Sequence, residues 1–151
     1  MDIIKACGTG DIKCVKDYIA SGNNLNVTIG NGWTPLTSAI EHRQKEIIIL
    51  LLENGADINF QQYSGFSALH HAVDSEIDGT LQTYGNVEET PIDLITLLLE
   101  NGADVNSKLD CGSTPLDIAK EYGCNKIVNL LQEYCKPSCK NKHNVYKSRG
   151  K

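Results

Sequence analysis

Near the end of the sequence Cys135, Cys139 and His143 recur every fourth residue, and thiolate and imidazole are the ligands zinc prefers. Three such groups could close on one ion, with Cys124 as a fourth, which would make the chain a metal-dependent regulator. Against this stands the reading in which the thiols are unliganded and no cofactor is bound. The six cysteines (Cys7, Cys14, Cys111, Cys124, Cys135, Cys139) follow a start, Met-Asp-Ile-Ile-Lys, that lacks the basic and apolar regions of a secretory signal, so reduced thiols are expected. His70 and His71 are adjacent on a helix and face different sides, so they cannot serve one reacting atom. There is no phosphate-cradling Gly-Lys motif, no His-Glu-x-x-His and no Gly-x-Ser-x-Gly. The carboxylates fall at helix starts, turns or a loop, where capping and solvation account for them. No catalytic residue is assigned, and no enzymatic activity is expected. The remaining chemistry is recognition. Trp33, Tyr63 and Phe66 stand in turn segments, and aromatic side chains there either pack on neighbouring turns or anchor a partner.

The elements that must position these residues are legible from one pattern. Glu46 to Gly65, EIIILLLENGADINFQQYSG, returns in most of its features as DLITLLLENGADVNSKLDCG. The apolar run Ile47 to Leu52 predicts a helix, and Gly55 can take the left-handed conformation that closes it. A polar segment then leads to Gly65, where the chain must turn tightly. Helix stops fall at Gly22, Gly55 and Gly102, and turns at Gly32, Gly65 and Gly112. The anchors are 33 residues apart and then 47, so one unit carries a 14-residue insertion. Between turn and helix lie Thr34-Pro35-Leu36-Thr37, Ser67-Ala68-Leu69-His70 and Thr114-Pro115-Leu116-Asp117. Thr34 is a natural N-cap and Pro35 fits the first helical position.

With that period and those motifs, the chain resembles the ankyrin-repeat family over about Asp2 to Cys135. It departs from the Thr-Pro-Leu-His signature at Thr37, Asp117 and Ala68. The resemblance implies an all-α solenoid of about four stacked helix pairs, with short hairpin turns and a cap at each end. Residues 1–135 are expected to form this domain, and 136–151 a basic, disordered tail. It also implies that His70 hydrogen-bonds within and between repeats. Carried over position by position, the concave binding surface comprises Asn31, Trp33, Tyr63, Ser64, Phe66, Asp110 and Ser113 from the turns, and Ser38, Glu41, His71, Asp74, Ile118 and Glu121 from the first helices. The insertion, Asp74 to Glu89, is expected to be a loop between the paired helices of the third repeat. It is broken by Gly79 and Gly85, exposes Glu76, Asp78, Glu88 and Glu89, and ends where Thr90-Pro91 restarts a helix.

Charge is unevenly spread. Residues 1–135 hold 8 basic against 19 acidic side chains, a formal −11, and 136–151 hold six basic and no acidic ones. An acidic body favours basic partners. These observations predict a cytoplasmic monomer that makes no direct contact with nucleic acid or membrane and binds a basic protein, as an inhibitor or immunity-type protein. The alternative from the same family likeness is a host-directed or viral adaptor.

Overall fold

The computed structural model describes residues 2–30 and 32–135. Among them are eight α-helices: α1 (Ile3–Thr9), α2 (Ile12–Ala20), α3 (Pro35–Glu41), α4 (Lys45–Glu53), α5 (Ala68–Tyr84), α6 (Asp93–Glu100), α7 (Pro115–Glu121) and α8 (Asn125–Cys135). They pair as α1 with α2, α3 with α4, α5 with α6 and α7 with α8, and the first members stack in the series α1, α3, α5, α7. One apolar core runs through the stack. Ile40, Ile48, Leu51, Ala72, Ile77, Ile95, Leu98, Ala119, Ile127 and Leu131 are fully buried in it. A single pair has too few neighbours to bury such faces, so each pair depends on the next.

The helix starts show one device executed with three chemistries. In α3 the Thr34 amide donates to Thr37 Oγ1 at 2.8 Å, while the Thr37 amide donates to Thr34 Oγ1 at 3.1 Å. In α7, Asp117 Oδ2 accepts from both the Thr114 amide (3.0 Å) and the Thr114 hydroxyl (2.8 Å). These bonds hold the Asp117 carboxyl below its usual range. In α5 the acceptor is imidazole: the Ser67 amide donates to His70 Nδ1 at 3.3 Å. The departures from the signature at Thr37 and Asp117 therefore keep the capping function.

Between the pairs the turns repeat in register. Ile29, Gln62 and Leu109 donate their amides to the carbonyls of Trp33, Phe66 and Ser113 at 3.1, 2.8 and 2.9 Å. Gly32, Gly65 and Gly112 close these turns at φ of 92°, 80° and 91°. Turn-to-turn contact comes from side chains as well. Asn26 Oδ1 accepts from the Asp57 amide, and Asn59 Oδ1 from the Asp104 amide, both at 2.8 Å, so the same asparagine of successive repeats reaches forward to the next.

The insertion departs from expectation. It is mostly helix: α5 has 17 residues where α3 and α7 have 7. Leu69, Val73, Ile77 and Leu81 recur every four residues, so the apolar stripe continues past Val73 and α5 continues with it. Gly79 lies inside this helix rather than breaking it, and Gly85 (φ 71°) ends it. Thr90 does not cap α6. It is buried with its hydroxyl donating to Val87 O at 2.8 Å, and the helix begins at Asp93.

Glu76 was expected on an exposed loop and is 3% exposed, because its turn of α5 faces the second repeat. Arg43, in the α3–α4 turn, reaches it at 3.4 Å. A Cβ on Gly79 would lie 2.6 Å from Arg43 Nη2, so the glycine leaves room for the guanidinium along α5. Burial raises the Glu76 pKa and Arg43 partly offsets it. A raised folded-state pKa means that Glu76 favours folding fully below its unfolded pKa and loses that contribution as pH rises through the folded one. Removing Arg43 leaves a buried, unpaired carboxylate. Arg43→Met should therefore destabilise the protein by about 1 to 3 kcal/mol at pH 7, with a smaller loss at pH 5. Urea melts at both values check this, and a pH-independent loss would contradict the pairing.

Candidate protein-binding groove

The turns of the second and third repeats and the exposed side of α3 and α5 enclose an open cavity of 530 Å3. The turn residues Trp33, Tyr63, Ser64 and Phe66 line it, with Glu41 from α3 and His71, Asp74 and Asp78 from α5. The spacing of His71, Asp74 and Asp78 puts all three on one helical face. Seven residues expected at a binding surface are thus brought together, and Asp78, expected on a loop, joins them. Tyr63 is 74% exposed at its rim. Trp33 and Phe66 are half-buried and flank the His71 ring at centroid distances of 5.4 and 5.1 Å. Packing on a neighbour and lining the groove are thus compatible at both positions.

The other expected residues lie elsewhere. Ser38 is buried, and its hydroxyl donates to Ile4 O at 2.8 Å, joining α3 to α1 rather than facing a partner. Ile118 is 9% exposed and belongs to the core. Asp110 and Ser113 stay with the fourth repeat's turn, where the Asp110 amide donates to Ser64 O at 3.0 Å. Glu121 is exposed at the end of α7. Glu88 and Glu89 are exposed in the connector after α5. Asn31, Cys139 and His143 lie outside the described residues, as does the tail 136–151. Cys135 is exposed, and Cys124 is buried with its thiol 3.5 Å from Val87 O. Among the described residues, no three metal-ligating side chains converge.

Three residues near the groove escaped the sequence reading. Gln62 precedes Tyr63 and lines the wall. Its Oε1 lies 3.0 Å from His71 Nε2, and its Nε2 is buried without a partner. Ser75 donates its hydroxyl to Glu41 Oε2 at 2.9 Å, tying α3 to α5. Tyr122, 43% exposed, has its phenol pKa raised chiefly by Asp74, so the acidic surface extends to α7. A long amide in a turn and a serine on a helix carry no periodic signal, so only their surroundings reveal them.

Electrostatics here is one-sided. Glu41, Asp74 and Asp78 stand in the lining without a lysine or arginine. Burial first, then Asp78 and Glu41, raises the Asp74 pKa. Burial lowers that of His71, which favours the neutral imidazole that donates to Gln62.

His70, behind the groove, is 0% exposed, and its Nε2 lies 3.4 Å from Ser113 O of the next repeat. Both roles implied by the resemblance are therefore met, within the repeat through Ser67 and between repeats through Ser113. Burial lowers its pKa from 6.5, opposed by Ser113 and reinforced by His71. A depressed folded-state value means that the unfolded chain takes up the proton first. The stability His70 contributes is full above the unfolded pKa and is lost as pH falls below it. His70→Thr, which borrows the second repeat's cap, should flatten the decline in urea midpoint between pH 7.5 and 5.5. Asp74 and Glu76 shift the opposite way in both proteins, so the difference between them is the readout. Identical slopes would contradict the assignment.

A family model described as "Ankyrin repeats (3 copies)" matches residues 3–83, and a second, "Ankyrin repeat", matches 64–109. Among curated proteins, the chain is 40% identical over 58 residues to the "Ankyrin repeat, SAM and basic leucine zipper domain-containing protein 1" of Mus musculus, covering 38% of this chain and 12% of that protein. The protein of the same name from Notamacropus eugenii is 33% identical over 82 residues, 52% of this chain and 17% of the relative. The "B-cell lymphoma 3 protein homolog" of Mus musculus is 40% identical over 68 residues, 44% of this chain and 15% of the relative. The chain thus spans less than a fifth of each of these relatives.

Proposed function

From the premise that this chain belongs to the ankyrin-repeat family, an architecture for protein–protein interaction, we propose that it holds a basic protein partner across the groove of the second and third repeats. What carries this reading is the convergence of Trp33, Tyr63 and Phe66 with Glu41, Asp74 and Asp78 in one cavity. Aromatic surface supplies affinity, while carboxylates steer a cationic partner and select it. The body's formal −11 acts in the same direction at longer range. Asp110, Ser113 and Glu121 would extend the contact toward the fourth repeat.

An inhibitor role follows if the partner's cationic surface is its working surface, since a carboxylate-lined groove then occupies the place of an anionic substrate. Glu76 takes no part in this, being buried against Arg43. Affinity capture from source cells, followed by association kinetics at several salt concentrations, tests the reading. The expected partner is basic and associates more slowly as salt rises. An acidic partner, or one indifferent to salt, would defeat it.

A further inference from the structure

Resting on that reading, we propose that the groove contains a subsite for one arginine side chain of an extended partner segment, with the Gln62 amide held ready for a backbone carbonyl of the same segment. Three observations converge. Gln62 is only 9% exposed, its carbonyl is engaged by His71, and its Nε2 donor has no partner although its side chain lines the groove. A buried donor left unpaired costs free energy, and a ligand acceptor at the wall would satisfy it. The aromatic side is already organised, since Trp33 and Phe66 both pack against His71. Aromatic faces attract a planar guanidinium by stacking and by cation–π attraction. The third observation is the set of carboxylates in the same lining, Asp74, Asp78 and Glu41, with no lysine or arginine there to compete. Arg43, which could have neutralised it, is turned to Glu76.

Arginine fits better than lysine on these contacts. Its guanidinium can stack on a ring while its edge donates to two carboxylate oxygens, whereas an ammonium is a compact, strongly hydrated charge. The cavity of 530 Å3 is open to solvent and holds a side chain with flanking backbone.

Trp33 is the chain's single tryptophan, so its fluorescence reports on this site. The test titrates the full chain with acetyl-Gly-Gly-Arg-Gly-Gly-amide, the same peptide with lysine, and the same peptide with citrulline, the neutral isostere. Saturable change is expected with arginine, binding at least about tenfold tighter than citrulline and tighter than lysine. In Asp74→Asn/Asp78→Asn the arginine preference over citrulline should collapse. Gln62→Leu should weaken both peptides while keeping their ratio, since it removes the backbone contact, and the bond to His71 that is lost with it serves both peptides alike. Circular dichroism confirms that each variant is folded, and Glu41→Gln serves as a second charge variant. Equal binding of arginine and citrulline peptides, lysine binding tighter, or no saturable change up to about 10 mM would overturn the subsite. If a captured basic partner still binds wild type and is lost with Tyr63→Ala, failure of the peptides removes the arginine subsite and leaves the protein-binding reading intact.

Discussion

Gly65→Ala should lower the unfolding free energy by about 3 kcal/mol or more. Two costs coincide at this position. The residue sits at φ 80°, where any Cβ is strained. The new methyl carbon would also lie 2.7 Å from Lys108 O and 2.9 Å from Leu109 Cα, both main-chain atoms of the next turn. That turn cannot easily yield, because the Leu109 amide is bonded to Ser113 O and the Asp110 amide to Ser64 O. Gly112 is the matched control. Its φ of 91° is equally unfavourable, but nothing lies within 4 Å of its Cβ position, so Gly112→Ala should cost only about 1 to 2 kcal/mol. Urea midpoints of the two variants decide the matter. Equal losses would mean that the turns are not pressed together as described.

On the binding side, Trp33→Ala or Tyr63→Ala should weaken partner association by about 2 kcal/mol or more, roughly thirtyfold. Most of this should appear as faster dissociation, because anchors act after the encounter has formed. Tyr63, largely exposed, makes the cleaner variant, since its truncation should leave the melting temperature nearly unchanged. Neutralising Asp78, Glu88 and Glu89 together should instead slow association and flatten its salt dependence. Surface plasmon resonance on the captured partner separates the two effects. Aromatic variants that bind like wild type would place the interface elsewhere.

The repeat register was legible because it rests on local rules. Gly22, Gly55 and Gly102 at the helix ends and Gly32, Gly65 and Gly112 at the turns all take positive φ. Thr34 and Thr114 cap the helices they precede. In the insertion a composition signal competes with a periodic one, and the periodic one prevails. Gly79 and the acids around it suggested a loop, yet Leu69, Val73, Ile77 and Leu81 kept a four-residue step throughout. Burial of Glu76 depends on Arg43, 33 positions earlier and in another repeat, which no local pattern discloses. The candidate site divides similarly. Glu41, His71 and Asp74 reached the groove because helical spacing carries them there. Ser38 did not, because α1 covers it, and Ile118 did not, because the core does. Gln62 was invisible, since its importance lies in a bond it does not make.

The forward-reaching asparagines give the stack an internal gauge. Because the Asp57 amide is held by Asn26 and the Asp104 amide by Asn59, deuterium uptake at each of these two sites should report the opening of one junction, separately from fraying of the adjoining helices. The order in which the two amides exchange would then trace how a melting front travels along the array, one boundary at a time.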